Sequence, residues 1–225
     1  LIWLKNTFFN QKIYLFMTTK EHALLPLFEK FIQHSYKGKR LKPDGSRIKA
    51  QTVNNYTYVL KYLQEYEAEY DIVLRIKASN SNNKRVFIAE RNYWKKFYLQ
   101  FTNFMYQKKS CYDNYVGTVI KTIRVFFNFL NNDMGIATGV FYKSFYVCRE
   151  EVPIVTLLPE QLQFLINDAG FNEQLNKSLQ KAKDIFVFGC TGALRVSDLF
   201  AIKFADIERM EQHYYLPVKT IKTGV

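Results

Sequence analysis

Between Val116 and Leu130 the apolar residues Val116, Val119, Ile120, Ile123, Phe126, Phe127 and Leu130 fall on one stripe of a 3.6-residue helix. A stripe of that width has to be buried against other elements, and its period excludes a strand. Ser110 and Asp113 stand at its head as a capping-box pair. The same spacing predicts three earlier helices. Pro26 suits the first turn of one carrying Leu27, Phe28, Phe31 and Ile32, although Thr18 and Glu21 could cap an earlier turn that Pro26 then kinks. Thr52 is an N-cap for a second with Val53, Tyr56, Leu60 and Leu63. A third covers roughly 86–106 with Tyr93, Trp94, Phe97, Phe101 and Phe104, and that repeat marks Trp94 as core rather than a base-stacking platform. Four such helices make a small bundle, so the fold class is mainly α.

The remaining chain reads differently. Residues 134–151 lose the helical period and read as a connector, which ends at Val152-Pro153, where proline disfavours further helix. Leu158-Pro159-Glu160 opens a short helix, and a longer one runs through Leu175, Leu179, Ile185 and Phe188 toward Arg195. Helix resumes from Asp198 to Ile202. Residues 206–208 and 213–218 then suggest short strands of an antiparallel hairpin. The expected organisation is an opening arm or linker remnant at 1–25, a helical domain at 26–146, a linker at 147–153 and a partial α+β domain at 154–225. With 225 residues, 48% of them apolar, 16 Tyr and 20 Phe, a substantial core is available and an ordered chain is expected.

The opening residues 1–17 are apolar enough to raise a signal peptide, yet Lys5, Asn6, Asn10, Gln11 and Lys12 interrupt them and no small-residue cleavage site follows. They read as a structured segment of a truncated chain. No run reaches the ~18 apolar residues that span a bilayer, so no membrane partner is expected. Cys111, Cys148 and Cys190 are an odd number, widely spaced, with neither a CxxC pair nor a His cluster, so neither a disulfide frame nor a metal site is encoded. A cytoplasmic setting fits. Cys190, in an apolar run, is expected to be a small buried hydrophobe.

The net charge of +12 is one-sided: residues 1–152 carry 24 Lys and Arg against 12 Asp and Glu, and residues 153–225 carry 8 against 8. The densest stretch runs from Lys37 through Lys39, Arg40, Lys42 and Arg47 to Lys49, six cations with the single acid Asp44, in a loop marked by Gly38, Pro43 and Gly45. Such a loop on a helical body can track a polyanion backbone and release its counterions. A solvated charge run is the plainer alternative.

Two later segments carry chemistry. Phe188-Gly-Cys-Thr-Gly-Ala-Leu-Arg195-Val-Ser-Asp198 delivers an arginine and, three residues on, an acid that could equally cap or pair locally. Lys219-Thr-Ile-Lys222-Thr-Gly follows the hairpin strands. His213 reads as an ordinary exposed strand residue.

Taken in order, the four helices with a basic loop, the linker, Leu-Pro-Glu-Gln-Leu, the Thr-Gly-Ala-Leu-Arg195-Val-Ser-Asp198-Leu run and the Lys-Thr-Gly after the hairpin resemble the tyrosine recombinase, or phage integrase, family, above all integrases of Bacteroidetes phages and conjugative transposons. The likeness covers about 26–225. It implies a SAM-like core-binding domain, including Ser46 to Tyr56 with Thr52, followed by the first half of a catalytic domain. Arg195 then matches the first arginine that forks onto the scissile phosphate, and Asp198 matches the acid that orients it. Lys222 matches the hairpin lysine that protonates the departing 5′-oxygen, with Lys219 as competitor. One departure is Ala193, where the family has Gly. The His-x-x-Arg pair and the nucleophilic tyrosine, which follow the hairpin in the family, are missing.

The resemblance implies a site-specific DNA recombinase of bacterial cytoplasm that binds double-stranded DNA, joins it through a 3′-phosphotyrosyl intermediate and acts as a homo-oligomer, a tetramer on DNA. It implies no metal, no nucleotide and no other cofactor. Its two domains would close on the duplex from opposite sides, with Lys37, Lys39, Arg40, Lys42, Arg47 and Lys49 holding backbone. This chain would bind DNA without cutting it. A non-catalytic DNA-binding accessory factor of the same architecture is the alternative.

Overall fold

The computed structural model describes residues 21–78, 84–218 and 220. Residues 1–20, with Thr18, and the lysines Lys219 and Lys222 lie outside the described residues. The chain is mainly helical and divides into two compact units between Glu151 and Val152.

The first unit holds α1 (Leu24–Tyr36), α2 (Ala50–Tyr70), α3 (Lys84–Gln107) and α4 (Asp113–Asn132), with strands β1 (Glu21–Ala23) and β2 (Arg75–Lys77). The four helices share one core. Phe28 and Phe31 of α1 meet Phe126 and Phe129 of α4, Phe31 also meets Tyr56 of α2, and Tyr66 of α2 packs edge-on against Phe97, Phe101 and Phe104 of α3. Edge-to-face pairs of this kind add about 1 kcal/mol each to the area they bury. Trp94 is 1% exposed, in the core as its spacing predicts.

The structure departs from the sequence expectations at three places in this unit. Helix α2 starts at Ala50, and Thr52 sits in its first turn rather than capping it, because the Lys49 carbonyl already accepts from the amides of Thr52 and Val53. The Ser110–Asp113 box does not form. Ser110 turns left-handed at φ +49°, Tyr112 becomes the N-cap, and the Tyr106 hydroxyl donates to the Asp113 carboxylate at 2.7 Å. Residues 134–151 are no free connector either. A 3₁₀ turn at Phe141–Ser144 drives Phe141, Tyr142 and Phe145 into the core, where Phe141 stacks on Trp94 and Tyr142 on Phe127.

The small β1–β2 pair was not foreseen. Three-residue strands carry almost no periodic signal, and their partners lie more than fifty residues apart. Arg75 locks the pair to α3, donating to Glu90 at 2.8 Å, lying 3.2 Å from Glu21 and covering the Tyr93 ring at 4.5 Å.

The second unit, described by itself, contains α5 (Pro159–Asn167), α6 (Ala169–Gln174), α7 (Lys177–Thr191), α8 (Val196–Leu199) and an antiparallel hairpin of β3 (Glu208–Met210) and β4 (His213–Tyr215). Strand β3 begins two residues later than the expected 206–208, because a 3₁₀ turn occupies Phe204–Asp206. Side chains mark the helix starts: Asp168 accepts from the Phe171 amide at 2.6 Å and Asn176 from the Leu179 amide at 2.9 Å. Cys190 is exposed rather than buried, and it lines a cavity shared with Val196, Leu199 and Phe200. Among the second unit's described residues the one buried side chain is Asp198, and Phe200 and Phe204 are exposed.

Candidate nucleic-acid interface

The loop between α1 and α2 is a built structure. Lys42 donates its amide to the Ser46 carbonyl and Gly45 to that of Lys42, both at 2.9 Å, which closes a turn over Pro43 and Asp44. Leu41 pairs with Arg47 as an isolated antiparallel bridge. The Asp44 carboxylate receives the Ser46 amide at 2.8 Å and its hydroxyl at 2.6 Å, bonds that hold Asp44 below the usual carboxylate range. The loop's one acid is thereby committed to the turn. Gly38 and Gly45, at φ +71° and +77°, supply the left-handed bends, and the Arg47 guanidinium lies against Gly38 where a side chain would crowd it.

From this turn Lys37, Lys39, Lys42, Arg47 and Lys49 reach solvent, while Arg40 is half-buried. Among the described residues Lys37, Lys39, Lys42 and Arg47 form no ion pair with a carboxylate. Thr52 lies half-buried in the first turn of α2 that the loop feeds. Seven residues proposed as contacts from sequence thus belong to one short segment of the first unit.

A second cationic feature was missed. On the outer side of α4 a cleft of about 750 Å³ is lined by Thr118, Lys121, Arg124 and Asn128 from the helix and by Arg149 from the exit segment. No acid lines it, and none of its three cations forms an ion pair among the described residues. Lys121 and Arg124 alternate with Asn114, Thr118 and Asn128 opposite the apolar stripe, a signal present in the sequence. Arg149 carried none. It joins them because Asn114 grips Glu150, its Nδ2 donating to the carbonyl and its Oδ1 accepting the amide, each at 3.0 Å.

The second unit places Arg195 through the end of α7. Leu194 donates its amide to the Gly189 carbonyl at 3.0 Å and Ala193 to that of Cys190 at 3.3 Å, the paired bonds of a Schellman turn. The residue this turn needs in the left-handed region is Ala193, at φ +49°. The chain then extends at Arg195, which N-caps α8, and the next turn brings Asp198 under it. Arg195 Nη1 lies 3.9 Å from Asp198 Oδ2, with the arginine side chain 51% exposed and the aspartate 1%. A buried carboxylate beside one end of a half-exposed guanidinium steadies the arginine, and the part of the guanidinium left exposed can grip an anion. His213 is an exposed residue of β4.

The tyrosines are held protonated wherever a shift is resolved. Burial pushes the phenols of Tyr66, Tyr93, Tyr98, Tyr106, Tyr115 and Tyr142 upward, that of Tyr66 to about 12. An activated nucleophile needs the opposite direction. Among the described residues no helix is long and apolar enough to cross a membrane. No protein-family model, curated protein or solved structure matches the chain.

Proposed function

We propose that the chain is the DNA-gripping part of a site-specific recombinase of the tyrosine recombinase type: a SAM-like core-binding bundle followed by the first half of a catalytic domain. The observation that carries this reading is the ordered basic loop, whose one acid is tied into its own turn while five cations face solvent. The loop cations and the α4 cleft would contact phosphates, which positions a protein on a duplex without reading its sequence. Arg195, steadied by Asp198, would grip the scissile phosphate and stabilise charge in the transition state. Lys222 or Lys219 would protonate the leaving oxygen. The intact protein would work in the bacterial cytoplasm as a tetramer on DNA, without metal or nucleotide.

Binding of this chain to a labelled duplex, titrated between roughly 50 and 200 mM salt, tests the reading. Affinity should fall by about a thousand-fold or more across that range if six or more phosphates are held. Failure to retard any duplex at low salt defeats the proposal. In the intact protein Arg195→Ala should leave affinity nearly unchanged and abolish cleavage of a nicked suicide substrate. Normal cleavage by that variant removes Arg195 from the site.

A further inference from the structure

The six cations of the basic loop are not equivalent. Arg40 turns inward: its guanidinium carbon lies 4.8 Å from the centre of the Phe31 ring and 5.8 Å from that of Tyr56. Its Nη1 donates to the Ser35 hydroxyl at 3.3 Å and to the Tyr56 hydroxyl at 3.4 Å. Phe31, Ser35 and Tyr56 are all buried. Ser35 gives its own proton to the Phe31 carbonyl, so its oxygen is free to accept from the arginine. The Arg40 amide also donates to the His34 carbonyl, which ties the start of the loop to the last turn of α1. Beyond this anchor come the Leu41–Arg47 bridge and the Lys42–Ser46 turn, and the loop next meets the core at Ile48.

We propose that Arg40 is a positioning residue that fixes the basic loop on the first unit, and that the lysines around it, Lys37, Lys39 and Lys42, make the phosphate contacts. The inference rests on the DNA-binding reading and refines it. A planar guanidinium can lie on two rings and donate along one edge at once. A lysine ammonium keeps the charge and loses both the plane and the fixed fork. The role of Arg40 therefore depends on shape rather than on charge.

Duplex binding by five variants of the full chain, at a temperature where each is folded, separates the roles. Arg40→Lys should weaken binding by about ten-fold although net charge is unchanged. Lys39→Arg should bind like the parent, and Lys39→Gln should lower the slope of log affinity against log salt by about 1. Combining Arg40→Lys with Lys39→Gln should cost less than the product of the single losses, because the displaced loop no longer presents Lys39. If Arg40→Lys binds as tightly as the parent while Arg40→Gln loses one unit of slope, Arg40 is an ordinary phosphate contact and the proposal is overturned.

Hydrogen exchange of the Lys42 and Gly45 amides supplies a readout without DNA. It should accelerate in Arg40→Lys, and to a lesser degree in Tyr56→Phe, which keeps the ring and removes one acceptor. Unchanged exchange in both variants overturns the positioning role whatever the DNA result. Accelerated exchange in a chain that retards no duplex defeats the DNA-binding reading alone.

Discussion

The carbonyl of Cys148 rests against the Cα of Gly117, so closely that a Cβ at that position would overlap its oxygen. Around this contact the exit segment is clamped to the bundle. Tyr98 donates to the Tyr146 carbonyl at 3.1 Å, the Tyr106 hydroxyl stands 3.4 Å from the Cys148 sulfur, and Asn114 holds Glu150 at both backbone groups. Residues 147–150, at the head of the expected linker, therefore belong to the first unit, and 151–160 are exposed throughout.

Gly117→Ala should reverse the usual sign of its class. In a helix interior alanine gains about 1 kcal/mol over glycine. Here the added methyl meets backbone, and a loss of about 1–3 kcal/mol is expected, read as a lower urea midpoint at constant slope. Cys148 should also react faster with a thiol reagent, because the segment that carries it lifts away.

Ala193→Gly should do the opposite. Position 193 is held at φ +49° by the Schellman bonds that end α7. The left-handed conformation costs a residue with a Cβ about 1–2 kcal/mol, and glycine's greater freedom in the unfolded chain returns part of that difference. A net gain of about 0.5–1 kcal/mol in unfolding free energy is expected.

Arg75 and Glu90 should prove unequal partners. Glu90 is 2% exposed and one of its carboxylate oxygens has no hydrogen-bond partner, whereas Arg75 is partly exposed and also reaches Glu21. Arg75→Met strands a buried charge and should cost about 3 kcal/mol. Glu90→Gln leaves Arg75 its second carboxylate and should cost clearly less. Adding Glu90→Leu to Arg75→Met should recover much of the loss in the same unfolding measurement.

Stability should fall in alkali through the buried phenols. Burial raises Tyr66 to about 12 from the ordinary 10, so between those values the native state holds a proton that the unfolded chain has released. The stabilisation is complete below pH 10 and is lost as pH rises through 12. Chemical denaturation across that window should show the decline, and Tyr66→Phe should flatten it. A tyrosine absorbance titration should find the buried phenols ionising only as the fold opens.

How far the sequence can be read depends on the reach of each interaction. The four bundle helices appear at their spacing because Val116, Val119, Ile120 and their counterparts report on a stripe whose pattern is local. Helix starts were less readable. At Thr52 and Ser110 the expected caps yielded to Lys49 and Tyr112, since a neighbouring carbonyl or the Tyr106 hydroxyl had already satisfied the groups in question. In the candidate site, Arg195 and Asp198 were paired by their i,i+3 spacing, and the structure brings them to 3.9 Å. Lys222 lies outside the described residues. The part of Arg149 in the α4 cleft was invisible because it depends on Asn114, thirty-five residues earlier.

Amino-acid order alone settles the mainly helical class, the one-sided charge and the short spacing of arginine and acid, because each follows from neighbours within a turn or two. It could not say which loop cation faces the core, why the exit segment is clamped, or that Ala193 sits where a glycine would be at ease. Those depend on Phe31 and Tyr56 meeting around Arg40, on Gly117 admitting a backbone and on carbonyls left at the end of α7. Such contacts exist only once the helices have packed, when burial makes an unmatched polar group or an overlapping atom costly.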